Sequence, residues 1–202
     1  MATVEQYMTH ARNYFKLNST YAAAEEVRMA NAVNEIVVKA HRWHWNIAAG
    51  ADVALSTPTQ TYTIDAADQN RVLYIQEAYL NTAGGDATPR LLVDGRDILP
   101  VTTVTARPIA AGLISGTQIR FWPAPDASYT LKWRYHKRPT VFTANSESWD
   151  VPGALDSVIK RGMIWQLAEY KDDTRAEAFK QEFYNELNQL ISSERMTNQR
   201  TR

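Results

Sequence analysis

The stretch from Gln118 to Pro139, QIRFWPAPDASYTLKWRYHKRP, restricts the possible fold more than any other part of the chain. In its second half Tyr129, Leu131, Trp133 and Tyr135 fall on one face, and Ser128, Thr130, Lys132, Arg134 and His136 on the other. A period of two built from aromatic and β-branched residues predicts a half-buried strand. The first half repeats the pattern more briefly, with Ile119 and Phe121 opposed to Gln118, Arg120 and Trp122. Pro123-Ala-Pro125-Asp126-Ala127 cannot stay in a ladder, because each proline lacks a donor and fixes φ. The expectation is a hairpin with a stiff, proline-set connection at the centre of a small sheet, ended by Pro139.

On both sides of this β region the period changes to helical. Thr3-Val-Glu-Gln6 has the form of a capping box, and Val4, Tyr7, Met8, Ala11, Tyr14 and Phe15 follow at helical spacing. A second helix, capped by Ser19 or Thr20, is expected to reach about Arg42 with Met29, Val33, Ile36, Val37 and Ala40 as its stripe. It runs into His41-Arg-Trp-His44-Trp45, read as the hinge to the β portion. Thr59 to Ile64 and Arg71 to Leu80 read as strands, Asn81 to Pro89 as a loop, and Asp94-Gly95 as a hairpin turn. Thr102 to Gly116 reads as irregular, and Thr140 to Trp149 as a polar link.

Asp150-Val-Pro152 then opens a helix apolar nearly all round (Leu155, Val158, Ile159, Met163, Ile164, Trp165, Leu167, Ala168), which predicts burial on more than one side. Thr174-Arg-Ala-Glu177 matches a capping box before a last helix with Phe179, Phe183, Leu187, Leu190 and Ile191 on one stripe. Arg195 to Arg202 is too polar to pack and is expected to be a flexible tail. The sum is an α+β protein. Helices of 1–48 and 150–194 pack as a layer of about four, a β domain spans 49–149 as a protrusion, and 195–202 form the tail.

Composition excludes several functional classes. There is no cysteine, hence no disulfide, thiolate metal site or Cys nucleophile, which suits a reducing compartment or a particle assembled in one. Twenty-two basic residues balance twenty-two acidic ones, so strong long-range attraction to nucleic acid or anionic membrane is not expected. No run of about 18 apolar residues could span a bilayer, and the N-terminus lacks the regions of a signal peptide.

Candidate chemistry is sparse. His41 and His44, three apart at a helix end, could contribute to a metal site, but no neighbouring carboxylate completes one. His136 is expected on the solvated face of its strand. Asp172-Asp173 more plausibly ends one helix and charges the start of the next than acts as an acid pair. No nucleophile elbow, P-loop or dinucleotide fingerprint is present. No residue is nominated for catalysis, cofactor binding or metal binding, and the sequence does not argue for an enzyme.

Lys132, Arg134, His136, Lys137 and Arg138 interleave with Trp133 and Tyr135. That leaves a nucleic-acid-binding module on strand 129–138 as an alternative. Since charges and rings alternate, a buried aromatic side with a solvated basic side accounts for the pattern as well. Six tryptophans and ten tyrosines, with helices apolar beyond one core face, suggest a subunit whose surplus apolar surface is covered by partners.

Taken in order, RWHWNI, IRFWPAPDASYTLKWRYHKRP, WDVPGALDSVIKRGMIWQLAEYKDD and AEAFKQEFYNELNQL resemble the head-to-tail adaptor, or connector, proteins of tailed bacteriophages. The likeness covers most of the chain and is best from Gln118 to Ile191. Gly153, where the family often carries an acid, and the Thr82 to Thr88 loop depart from it. The resemblance implies a structural virion protein, assembled in the host cytoplasm and sited at the portal vertex, neck or tail. It implies a homo-oligomeric ring, typically of twelve copies, that joins the portal protein to tail tube, nozzle or fibre proteins. DNA would pass through its channel without sequence-specific binding, with no cofactor and no membrane involved. On that basis Trp43, Trp45, Trp165 and Tyr170 are the expected core or interface anchors, and Arg195, Arg200 and Arg202 the expected portal contacts.

Overall fold

The computed structural model describes residues 2–17, 21–82, 87–94 and 100–200, with backbone alone at 87–90, 93–94 and 197–200. The chain is α+β and divides into two compact units, residues 1–41 with 139–202, and residues 42–138. The divisions fall at His41/Arg42 and Arg138/Pro139, each several residues before the boundaries expected after 48 and after 149.

Among its described residues the first unit holds four α-helices, α1 (Val4–Tyr14), α2 (Ala23–Ala40), α3 (Asp156–Tyr170) and α4 (Ala176–Arg200). The Thr3 box forms as the spacing predicts: Gln6 N donates to Thr3 Oγ1 at 3.2 Å and Thr3 N to Gln6 Oε1 at 2.9 Å. Helix α3 packs against each of the other three. Val158, Ile159 and the whole run from Gly162 to Ala168 are buried, the outcome its all-round apolar surface requires. Gly162 allows the approach, since a Cβ there would lie 2.7 Å from Val33 Cγ1 and 3.1 Å from Phe183 Cε2.

Several local expectations are corrected. Helix α2 starts after Ala22, which makes no side-chain cap, and Ser19 and Thr20 lie outside the described residues. At α4 no Thr174–Glu177 box forms. Instead Asp173 Oδ1 takes the Arg175 N–H at 2.9 Å and its carboxylate holds the Arg175 guanidinium. Residues 195–200, expected as tail, continue α4, because no glycine or proline follows Ile191 to stop the helix. The expected polar link after Thr140 is a belt over the helices. Asn31 exchanges two hydrogen bonds with the Phe142 backbone, and Phe142 and Trp149 are buried beneath it.

Among its described residues the second unit contains nine strands: β1 (Ile47–Ala49), β2 (Val53–Leu55), β3 (Thr61–Thr63), β4 (Val72–Thr82), β5 (Ala87–Arg90), β6 (Leu92–Asp94), β7 (Ala110–Ser115), β8 (Gln118–Trp122) and β9 (Tyr129–Lys137). One sheet has the order β1-β9-β4-β5, with β2 also on β9; the other runs β3-β8-β7-β6. All pairs are antiparallel except β6 with β7. The core lies between the sheets, where Tyr129, Leu131, Trp133 and Tyr135 of β9 meet Ile119 and Phe121 of β8.

The expected hairpin is therefore not one. The alternation in both halves is present, but β8 and β9 belong to different sheets. Pro123 and Pro125 carry the chain from one to the other, with Ala124 N donating to Val104 O at 3.3 Å on the way. Two residues without donors cannot extend a ladder on either side, so they serve a crossing as well as a turn. Ala110–Ser115, expected to be irregular, is a central strand, and Ala87–Pro89, expected in a loop, pairs with β4. The Asp94-Gly95 turn lies outside the described residues beyond Asp94.

Candidate interaction surfaces

The chain leaves α2 at His41, which is extended, turns through a short 3-10 segment at His44–Asn46, and enters β1. Asn46 Nδ2 fixes this turn on Lys137 O at 2.8 Å. Because α2 ends at Ala40, His41 and His44 share no helix face. His41 Nε2 lies 3.4 Å from Glu194 Oε2. Burial lowers the His41 pKa, with Glu194 opposing and Arg195 adding to the shift. No cluster of three metal-ligating side chains occurs among the described residues.

The four expected anchors separate. Trp43 is buried, with Trp45 beside it at a ring distance of 6.1 Å. Trp165 sits inside the helical unit against Phe183 at 5.5 Å, with Lys180 Nζ 5.9 Å from its ring centre. Tyr170 alone of the four is exposed, edge-on to Tyr21 at 5.5 Å. Arg195 is exposed on α4, the side chain of Arg200 is outside the description, and Arg202 is outside the described residues.

Most of the aromatic surplus is internal. Trp43, Trp133, Trp149 and Trp165 are buried, and Trp45 and Trp122 are partly so. Two cores of roughly one hundred residues each carry more surface per volume than one large core, so each needs more ring area to close. The apolar side chains left outside the β unit are aliphatic: Leu92, Val101, Val104 and Ile109, each more than half exposed. They gather along β6 and the strap before β7, where Leu92 N donates to Ile109 O at 2.9 Å. The strap has no alternation and is broken by Pro100 and Pro108, so no periodic signal marked it.

The basic face of β9 is also not as expected. His136 is buried, 4.5 Å from the Tyr74 ring. Register shifts in β4 around Tyr74 bring that ring opposite His136 and cover it. Lys132 is paired with Asp52, and Arg134 Nη1 is 3.4 Å from Glu77 Oε1. Of the basic groups expected on an open platform, these three are spoken for.

What the described residues present to the outside are contact surfaces. Toward its end α4 exposes Arg195, and an aliphatic strap runs along β6 and the stretch before β7. That is the anatomy of a protein that acts by docking. A family model described as SU10 adaptor protein matches residues 2–202. The chain belongs to this family of phage head-to-tail adaptors, and its role is that of a structural phage adaptor. No curated protein matches the chain.

Proposed function

We propose that copies of this chain form a ring, typically of twelve, between the phage portal and the tail, extending the channel through which DNA passes. The observation that carries this is the match to the adaptor family over residues 2–202. On this reading the protein resides at the neck of the virion and is assembled in the host cytoplasm. No described helix is long and apolar enough to cross a membrane. The helical unit makes the ring and meets the portal. Arg195, Arg200 and Arg202 supply the portal contacts, the first two from the preformed end of α4 rather than from a segment that orders on docking.

The β unit, with the Thr82 to Thr88 connection and the aliphatic strap, meets the next tail component. Tyr170, exposed at the end of α3, is the anchor best placed for a neighbour, whereas Trp43 and Trp165 act through the cores they fill. Such contacts need to bury more than about 1,000 Å² to hold an assembly.

Truncation tests the portal assignment. A chain ending at Arg195 keeps the buried Phe179, Phe183, Leu187 and Ile191 stripe and is expected to fold, losing only the helicity of the α4 residues removed. Its affinity for purified portal should fall at least tenfold in a sedimentation or interferometry assay. Unchanged affinity would remove the α4 end from the portal interface.

A further inference from the structure

Among the arginines, Arg12, Arg28, Arg134, Arg161 and Arg175 each hold a carboxylate. Arg42, Arg71 and Arg138, at one end of the β unit, hold none among the described residues, and all three are exposed. Each is fixed instead by an uncharged group. The Arg42 guanidinium lies 4.7 Å from the Tyr74 ring centre. Arg138 Nε donates to Val72 O at 2.9 Å, and Arg71 Nη1 to Ala67 O at 3.3 Å.

The anchors are close together. Arg138 N donates to Arg71 O at 2.6 Å, and Val72 and Tyr74 lie on β4 only about 7 Å apart along the strand. The acids of the adjoining turn are engaged. Asp68 accepts from Tyr135 Oη and from Ala51 N, both at 2.7 Å, and Asp65 Oδ1 accepts from Ala67 N at 2.8 Å. The result is a row of three guanidinium groups, each held on one side and free to donate on the other.

The surroundings select the class of ligand. A protein interface places an apolar core inside a polar rim. Here the exposed aliphatic side chains lie at the far end of the unit. Strand β7 begins beside Ile109 and runs to a turn whose Gly116 O accepts from Asn70 N at 2.7 Å, next to Arg71. Six residues of strand span about 20 Å. Base recognition is also unprovided for, since the Tyr74 ring is taken by Arg42 and His136. Guanidinium forks on a polar surface without an open ring match phosphate oxygens.

We propose that Arg42, Arg71 and Arg138 form a contact surface for the phosphate backbone of nucleic acid, bound without regard to base sequence. It goes beyond the ring reading, and either can fail without the other. With equal numbers of acidic and basic residues in the chain, there is no long-range pull to add to it, so the contact operates at low salt and weakens steeply as salt rises.

The test is fluorescence anisotropy of the full chain with a labelled duplex of random sequence over a salt series. The combined Arg42→Gln, Arg71→Gln, Arg138→Gln variant is expected to lower the slope of log affinity against log salt by about 2 to 3. The corresponding triple lysine variant should keep most of the slope, and Lys132→Gln with Arg134→Gln should leave it unchanged. Far-UV circular dichroism checks that each variant folds. Should the glutamine variant unfold, the lysine variant and the Lys132/Arg134 variant still decide. Absence of binding by the unmodified chain at low salt overturns the proposal. So does a lysine variant that loses the whole slope, or a slope carried by Lys132 and Arg134. Preference for a polyglutamate peptide over the duplex overturns it in favour of an acidic protein partner.

Discussion

The helical unit and the β unit both bury tryptophan rings, yet they are assembled from contacts of very different reach along the chain. In the helical unit each stripe is written within one helix, and α3 collects the other three around a surface apolar on every side. In the β unit the longest pairing joins β4 to β9, with Val72 opposite Lys137 and Thr82 opposite Tyr129. The chain between those strands builds part of a second sheet first. Local periodicity therefore specifies the helical unit almost completely, while the β unit depends on which strands meet, and no single segment encodes that.

Each unit has a core of its own, so damage to one should leave the other standing. Trp133→Ala removes an indole that packs over Gly50 and donates from Nε1 to Ala51 O at 2.8 Å. It is expected to cost about 3–5 kcal/mol. Hydrogen exchange should show lost protection in β1, β4 and β9 with α1 to α4 unchanged; equal loss in the helices would break the comparison.

A smaller effect sharpens it from the helical side. Gly162→Ala forces a methyl group against Val33 and Phe183 and should cost about 1–3 kcal/mol. Gly153→Ala meets nothing within 4 Å and should be near neutral, both read by chemical denaturation. A neutral Gly162→Ala would mean that α3 can shift, and that the close approach is not required.

The smallest effect is in pH. Burial, with the hydrogen bond to Asp68 second, pushes the Tyr135 phenol from 10.0 up to about 12. Between those values the unfolded chain loses a proton that the folded chain keeps, so stability falls as pH rises through that window. An ultraviolet titration of tyrosinate should find a late phenol in the unmodified chain, beyond those of Tyr7, Tyr74 and Tyr129, that is absent from Tyr135→Phe. Equal curves for the two would place the late phenol elsewhere.

The limits of the sequence follow from the same contrast. The Thr3 box, the α3 surface and the α4 stripe are legible because every participant lies within a turn or two of its partner. The alternation of β8 and β9 is legible for the same reason, and their separation into two sheets is not, since Pro123 and Pro125 suit a turn and a crossing equally. Ala110–Ser115 was hidden by small residues with little strand preference of their own. Phe142 and Trp149 were hidden by the polar residues around them, whose hydrogen bonds seal the belt onto α1 and α2. His136 obeyed its alternation until a bulge in the neighbouring strand brought Tyr74 over it. Of the three arginines only Arg138 stood out in the sequence, within its basic stretch, because Arg42 and Arg71 stand far from it in the chain and their anchors come together only when β4 and β9 pair.

Electron cryomicroscopy of the full chain mixed with purified portal bears most directly on the central claim. A closed ring of this chain seated on the portal, with the end of α4 at the contact, is the predicted result. Portal particles that remain bare at saturating concentrations of the folded chain would contradict it.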